Sequence, residues 1–83
     1  MNIGEIVKIN IIKREDSFIY GIIIFLSNKS FEYNTVRVLE DHSGSSIVKE
    51  HLIIDNEYDF YSNQLMSISE DEVKRLQKIV VFS

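Results

Sequence analysis

Apolar, β-branched residues arrive in alternating segments, each cut off by a short polar turn, and this rhythm limits the fold more than any other feature. Across residues 3–12 one set of alternate positions holds Ile3, Glu5, Val7, Ile9 and Ile11, and the other holds Gly4, Ile6, Lys8, Asn10 and Ile12. The first set is nearly all apolar and the second mixed, as a half-buried strand requires, because successive side chains leave a pleated strand on opposite faces. Residues 18–26 are too apolar for a strand with one wet face and read as a central strand. Gly21 inside that segment predicts a bulge or sharp bend. Further strands are predicted over 31–39, 47–54 and 57–61. In the last, Tyr58 and Phe60 point inward and Glu57, Asp59 and Tyr61 outward. Polar turns separate them at 14–17, 27–30 and 55–56, and residues 40–46 have loop composition. The expected fold is therefore mainly β: a small barrel or a curled antiparallel sheet of about five strands, followed by one short helix.

The helix has the clearest local signature. Ser69-Glu70-Asp71-Glu72 forms a capping box, in which the Ser69 hydroxyl accepts from the backbone N–H of Glu72 and the Glu72 carboxylate returns to that of Ser69. Ile68 and Val73 occupy the hydrophobic-staple positions. Acids fill the first turn and Lys74, Arg75 and Lys78 follow, the order that suits the helix dipole. Val73, Leu76 and Val80 form one apolar stripe, predicting a helix over 70–78. Residues 79–82 return to strand composition and predict an added edge strand.

The chain of 83 residues has room for a single core, spanning 1–83, with a β-rich body at 3–61 and the capped helix and tail at 69–80. Cysteine is absent, which excludes disulfides, thiol chemistry and cysteine-containing zinc sites. The core rests on packing, and Ile and Val, 21 of the 83 residues, supply the material. Ala, Pro and Trp are absent while Ile, Lys, Asn, Tyr and Phe are plentiful. That is the bias of A+T-rich codons, and it points to a low-GC bacterium or one of its phages. A start of Met1-Asn2-Ile3-Gly4-Glu5 lacks the basic region and long apolar stretch of a signal peptide, and no apolar run approaches a membrane span, so a cytoplasmic location is expected.

Charge divides the chain. The formal net charge is −4, but residues 1–39 carry +1, residues 40–72 carry −8 and residues 73–83 carry +3. An acid block of this kind attracts cationic partners and repels phosphate backbones. Its members outside the helix are Glu40, Asp41, Glu50, Asp55, Glu57 and Asp59, and with the neighbouring Tyr58 and Tyr61 they are the candidate partner-binding residues. Asp55, Glu57 and Asp59 alternate along the predicted strand, about 6.5–7 Å apart, close to the separation of successive phosphates on one nucleic-acid strand.

No constellation carries chemistry. His42 and His51 lie near Ser43, Ser45 and Ser46 without the strained G-x-S-x-G elbow of a nucleophilic hydrolase. Glu40, Asp41 and His42 are sequence neighbours and cannot all face one ion without a second segment. Gly4, Gly21 and Gly44 are too far apart for a phosphate loop. No cofactor and no catalytic residue is predicted. Phe18, Tyr20, Phe31 and Tyr33, together with Lys13, Arg14, Lys29 and Arg37, supply the stacking rings and cations that single-strand binding needs, but the sequence pI of about 5.0 and the lack of a basic stripe weigh against nucleic acid.

Gly4-Glu5-Ile6-Val7-Lys8-Ile9, Tyr20-Gly21-Ile22-Ile23, Val36-Arg37-Val38 and Ile47-Val48-Lys49-Glu50-His51-Leu52 resemble the strand succession of SH3-like small barrels over residues 3–54. Two departures are that the first two strands are long and that no proline or short helical turn precedes the fifth. The resemblance implies a barrel architecture and a binding role, and transfers no active residue. The sequence thus reads as a non-enzymatic acidic protein-binding module of phage or mobile-element type. Such a module occludes the basic surface of a larger protein such as a nuclease, defence effector or toxin. A nucleic-acid-associated regulatory module and a phage structural accessory protein are the alternatives. An exposed edge, at 58–61 or 79–82, also predicts a homodimer by strand addition.

Overall fold

A computed structural model of the chain describes residues 1–10, 17–27, 29, 32–42 and 54–82, the last three of these by backbone alone. Among these residues five strands form one antiparallel sheet: β1 (Ile6–Asn10), β2 (Phe18–Phe25), β3 (Tyr33–His42), β4 (Glu57–Tyr61) and β5 (Leu65–Ser67), in the spatial order β4-β3-β2-β1-β5. A 3-10 turn, Ser62–Gln64, joins β4 to β5, and a helix, α1 (Glu70–Phe82), follows. The fold is mainly β with one C-terminal helix, as the strand periodicity predicts.

The connection between β4 and β5 fixes the sheet's shape. These strands are its two opposite edges, four strand spacings or about 19 Å apart if the sheet were flat. Tyr61 and Leu65 are separated by four Cα steps, which reach at most about 14 Å even when fully extended. The sheet must therefore curl until its edges approach. Side chains from all five strands meet inside the curl: Val7 and Ile9 of β1, Ile19 and Ile23 of β2, Val36 and Val38 of β3, Phe60 of β4 and Leu65 of β5 form one buried cluster. Gly21 permits the bend. A Cβ at that position would collide with the Val36 side chain and come within 2.9 Å of the Arg37 carbonyl oxygen, and the β2–β3 register shifts beside it.

Asn34 is the buried polar residue that ties the curl together. Its side chain accepts from the Ser27 N–H at 2.8 Å and donates to Ser62 Oγ at 3.0 Å and to the Phe60 carbonyl at 3.4 Å. It thereby links the end of β2, the end of β4 and the 3-10 turn, and it is fully satisfied, as a polar group at zero exposure must be.

Among the described residues, the helix covers only part of the sheet's outer face. Ile6, Leu39 and Leu76 form a second buried cluster, flanked by Tyr20, Ile22, Ile68, Val73 and Ile79, and this cluster seats α1 on β1, β2 and β3. The outer positions of β4 and of Tyr33–Arg37 in β3 are not part of this cluster.

Several boundaries correct the sequence reading. The first strand begins at Ile6, because Gly4 adopts φ 88° and the N–H of Glu5 turns back to the Asn2 carbonyl. The third strand runs past 39 to His42 instead of breaking into a loop at Glu40: Leu39 is the extra residue of a bulge, and Glu40 and His42 pair opposite Tyr20 and Phe18. Residues 79–82 continue the helix and form no edge strand; Ile79 packs beside Leu76, so tertiary burial overrides β-branched composition. The helical turn missing from the sequence reading exists at Ser62–Gln64 and leads into β5, a strand the reading overlooked. The capping box is half formed. The Glu72 N–H donates to Ser69 Oγ at 3.3 Å, but the Glu72 carboxylate is engaged by Arg75 at 2.8 Å. The predicted strand at 47–54 lies outside the described residues except for Ile54, an exposed turn residue.

Candidate interaction surface

Outward positions on β3 and β4 meet in three rungs. Register pairs Tyr33 with Tyr61, Thr35 with Asp59 and Arg37 with Glu57. The pleat sends all six side chains to the open outer face, while Tyr58 and Phe60 turn inward, as their alternation predicts. In the first rung the rings of Tyr33 and Tyr61 stack with centroids 4.3 Å apart and planes 23° apart, yet they remain 51% and 40% exposed. Contact with Tyr61 raises the Tyr33 phenol above its ordinary pKa, and the charge of Asp59 adds to the effect. In the second, Thr35 Oγ1 donates to Asp59 Oδ1 at 2.8 Å. In the third, Arg37 Nη2 stands 3.5 Å from Glu57 Oε1 with both side chains about half exposed, the geometry of a weak surface pair. Below this rung a shallow, open depression is lined by Arg37, Asp55, Asn56 and Glu57.

Asp55 departs from the sequence reading. It sits in the turn before β4 with φ 69°, its N–H bonded to the Val38 carbonyl at 2.9 Å, so only Glu57 and Asp59 alternate along the strand. The regular three-acid spacing that would imitate phosphates is therefore not formed.

Glu40 belongs to a different arrangement. Arg75 of α1 grips its carboxylate through Nη1 at 2.5 Å and Nη2 at 3.1 Å, and also bonds Glu72 at 2.8 Å. His42 Nε2 lies 2.8 Å from the same Glu40 carboxylate. Hydrogen bonding to Arg75 lowers the Glu40 pKa against an opposing burial effect, and that of Glu72 falls for the same leading reason. The Tyr20 phenol is pushed up by burial and by the neighbouring Glu72. Phe18 stacks on His42 with centroids 4.9 Å apart, Lys8 Nζ stands 4.3 Å from the Phe18 centroid, and Arg75 lies over Tyr20. Here Arg75 joins the helix to Glu40 and Tyr20 on the sheet, with Phe18 and His42 packed beside them.

Of the candidate residues, then, Glu57, Asp59 and Tyr61 share one open face with Asp55 at its margin, and Tyr58 packs against the core. Glu40 lies in the helix clasp. Asp41 occupies β3 opposite Ile19, and Glu50 lies outside the described residues. Sequence reasoning missed Tyr33, Thr35 and Arg37 as members of this face, although their two-residue spacing opposite Glu57, Asp59 and Tyr61 carries the signal. Of the cations proposed for nucleic-acid contact, Arg37 faces Glu57, Lys29 Nζ lies 3.6 Å from Glu32, and Lys13 and Arg14 fall outside the described residues. Among the described residues no group of three His, Asp or Glu side chains is placed to hold a metal ion, and no helix is long and apolar enough to cross a membrane. Comparisons with protein-family models, curated proteins and solved structures returned no match.

Proposed function

We propose that this chain is a non-enzymatic protein-binding module whose β3–β4 outer face docks on a cationic surface of a larger protein and occludes it. On this reading it is a phage or mobile-element inhibitor of a nuclease, defence effector or toxin. The observation that carries the reading is the exposed, stacked Tyr33–Tyr61 pair set in one ladder with Asp59 and Glu57. Rigid aromatic area provides contact at low entropic cost, and the adjacent carboxylates select a cation, as interface anchors with a polar rim do. Support for an SH3-like barrel comes from the curl of the sheet and from the 3-10 turn entering β5.

The test uses an arginine-rich peptide and a single-stranded oligonucleotide as probes at low and high salt. The double reversal E57K/D59K is expected to remove peptide binding, whereas reversing the exposed helix acids, E70K/D71K, leaves it largely intact. Asp55 is not altered, because lysine is poorly suited to its left-handed backbone. Equal losses from the two reversals contradict a defined face. Oligonucleotide binding by the unaltered protein favours the nucleic-acid alternative.

A further inference from the structure

We infer that the open edge of β4 takes up an extended segment of the partner as an added antiparallel strand, with arginine or lysine at alternate positions opposite Glu57 and Asp59. This rests on the cationic-partner reading above and adds the mode of attachment. The hydrogen-bond phase of the β3–β4 ladder is set where the Val38 N–H donates to the Asn56 carbonyl at 3.0 Å. Hydrogen-bonded and non-bonded pairs alternate along an antiparallel ladder, so Val36–Tyr58 and Asn34–Phe60 are the bonded pairs. Arg37–Glu57, Thr35–Asp59 and Tyr33–Tyr61 are then the non-bonded pairs, whose side chains approach more closely, in agreement with the 2.8 Å Thr35–Asp59 bond and the 4.3 Å ring stack. The backbone N–H and C=O groups of Glu57 and Asp59 therefore point away from β3, toward the edge. Among the described residues β4 pairs with β3 alone, and at the far end of the strand the Tyr61 N–H is taken by Gln64 Oε1 at 2.9 Å. Among the described residues, nothing else bonds the outward groups of Glu57 and Asp59, two consecutive donor–acceptor sets for an incoming chain.

Charge chooses the occupant. A second copy pairing antiparallel about Asp59 sets Asp59 against Asp59, and one centred on Tyr58 sets Glu57 against Asp59. Like charges directly opposite are destabilising, and charged edge residues are a common guard against self-pairing. A segment with cations at alternate positions reverses the sign, as Arg37 does opposite Glu57 on the other side. Its intervening residues face the same way as Tyr58 and Phe60, toward the inner side, and are apolar. Strand addition is an established mode of peptide recognition in which main-chain bonds give affinity and alternate side chains give specificity.

The probes are a short synthetic peptide of alternating arginine and valine, the same peptide N-methylated at the arginine amides, and a third form N-methylated at the valine amides. The parent and valine-methylated forms are expected to bind. The arginine-methylated form is expected to bind at least about tenfold more weakly, the equivalent of losing one or two hydrogen bonds. Hydrogen exchange at the Glu57 and Asp59 amides is expected to slow in the complex. Equal binding of the two methylated forms with no added protection overturns strand addition and leaves the cationic-partner reading standing. Failure of every peptide at low salt overturns both. Protection of these amides that grows with protein concentration alone makes the occupant a second copy and also overturns the inference.

Discussion

The outer face of this small sheet is divided between two uses of the same residue types. On the part under α1, Glu40 and Glu72 are bound to Arg75, and Tyr20, Phe18 and His42 pack edge to face or stacked around them. On the β3–β4 part, among the described residues, Glu57 meets an extended arginine contact and Asp59 one threonine hydroxyl, and the stacked tyrosines are exposed. Within the acid block, Glu40 and Glu72 are thus engaged in fixing the helix, whereas Glu57 and Asp59 stand on the open ladder. The contrast separates fold from function: changes under the helix act on stability, and changes on the open ladder act on binding.

The largest expected effect lies under the helix. Leu76 is fully buried between Ile6 and Leu39, so Leu76→Ala removes its packing and leaves a cavity, at a cost of about 2–5 kcal/mol in urea or thermal unfolding. Asn34→Leu comes next. The substitution strips partners from the Ser27 N–H and Ser62 Oγ, and a loss of about 1–3 kcal/mol is expected. A change below about 0.5 kcal/mol would mean that apolar packing alone closes the curl.

A smaller effect follows from the clasp between Glu40 and Arg75. The folded-state pKa of Glu40 is held below its ordinary value chiefly by Arg75, so this interaction contributes stability above the unfolded carboxylate pKa and loses it as pH falls through the depressed folded value. The amides of α1 are expected to exchange faster in acid, relative to those of the β1–β3 core. Glu40→Gln should flatten that acid dependence and cost about 1 kcal/mol or less near neutrality, since Arg75 keeps Glu72. An unchanged acid limb in Glu40→Gln removes the clasp from the account.

How much of this was legible in the sequence depends on the range of the interactions involved. Alternation placed β2 and β4 nearly to the residue and oriented Tyr58 and Phe60 against Glu57, Asp59 and Tyr61, because burial on one face of a pleated strand writes itself into every second position. Ser69 marked the start of α1 because capping is local. Glu40 and His42 looked like loop residues, since their place in β3 depends on Arg75, 35 residues further on from Glu40, and on stacking with Phe18. The ending of α1 was misread for a related reason: the packing of Ile79 against the Leu76 cluster decides what β-branched composition obscures. β5 is too short to show a period, and its existence follows from pairing with β1. The open ladder combines both kinds of information. Each strand's outward set was readable, but that Tyr33, Thr35 and Arg37 stand opposite Tyr61, Asp59 and Glu57 is a matter of register, which connections and packing set together.

The smallest expected stability change belongs to the open ladder itself. E57K/D59K should alter unfolding free energy by about 0.5 kcal/mol or less, the ordinary range for exposed positions. A large loss there would place these acids with the clasp as structural groups.

The most direct measurement is a titration of isotopically labelled protein with an arginine-rich peptide, followed by backbone and side-chain chemical-shift changes. The shifts are expected to concentrate at Tyr33, Thr35, Arg37, Glu57, Asp59 and Tyr61, while Glu40, Glu72 and Arg75 stay in place. Shifts centred on the helix clasp, or spread evenly over every exposed acid including Glu70 and Asp71, would contradict binding at the open ladder.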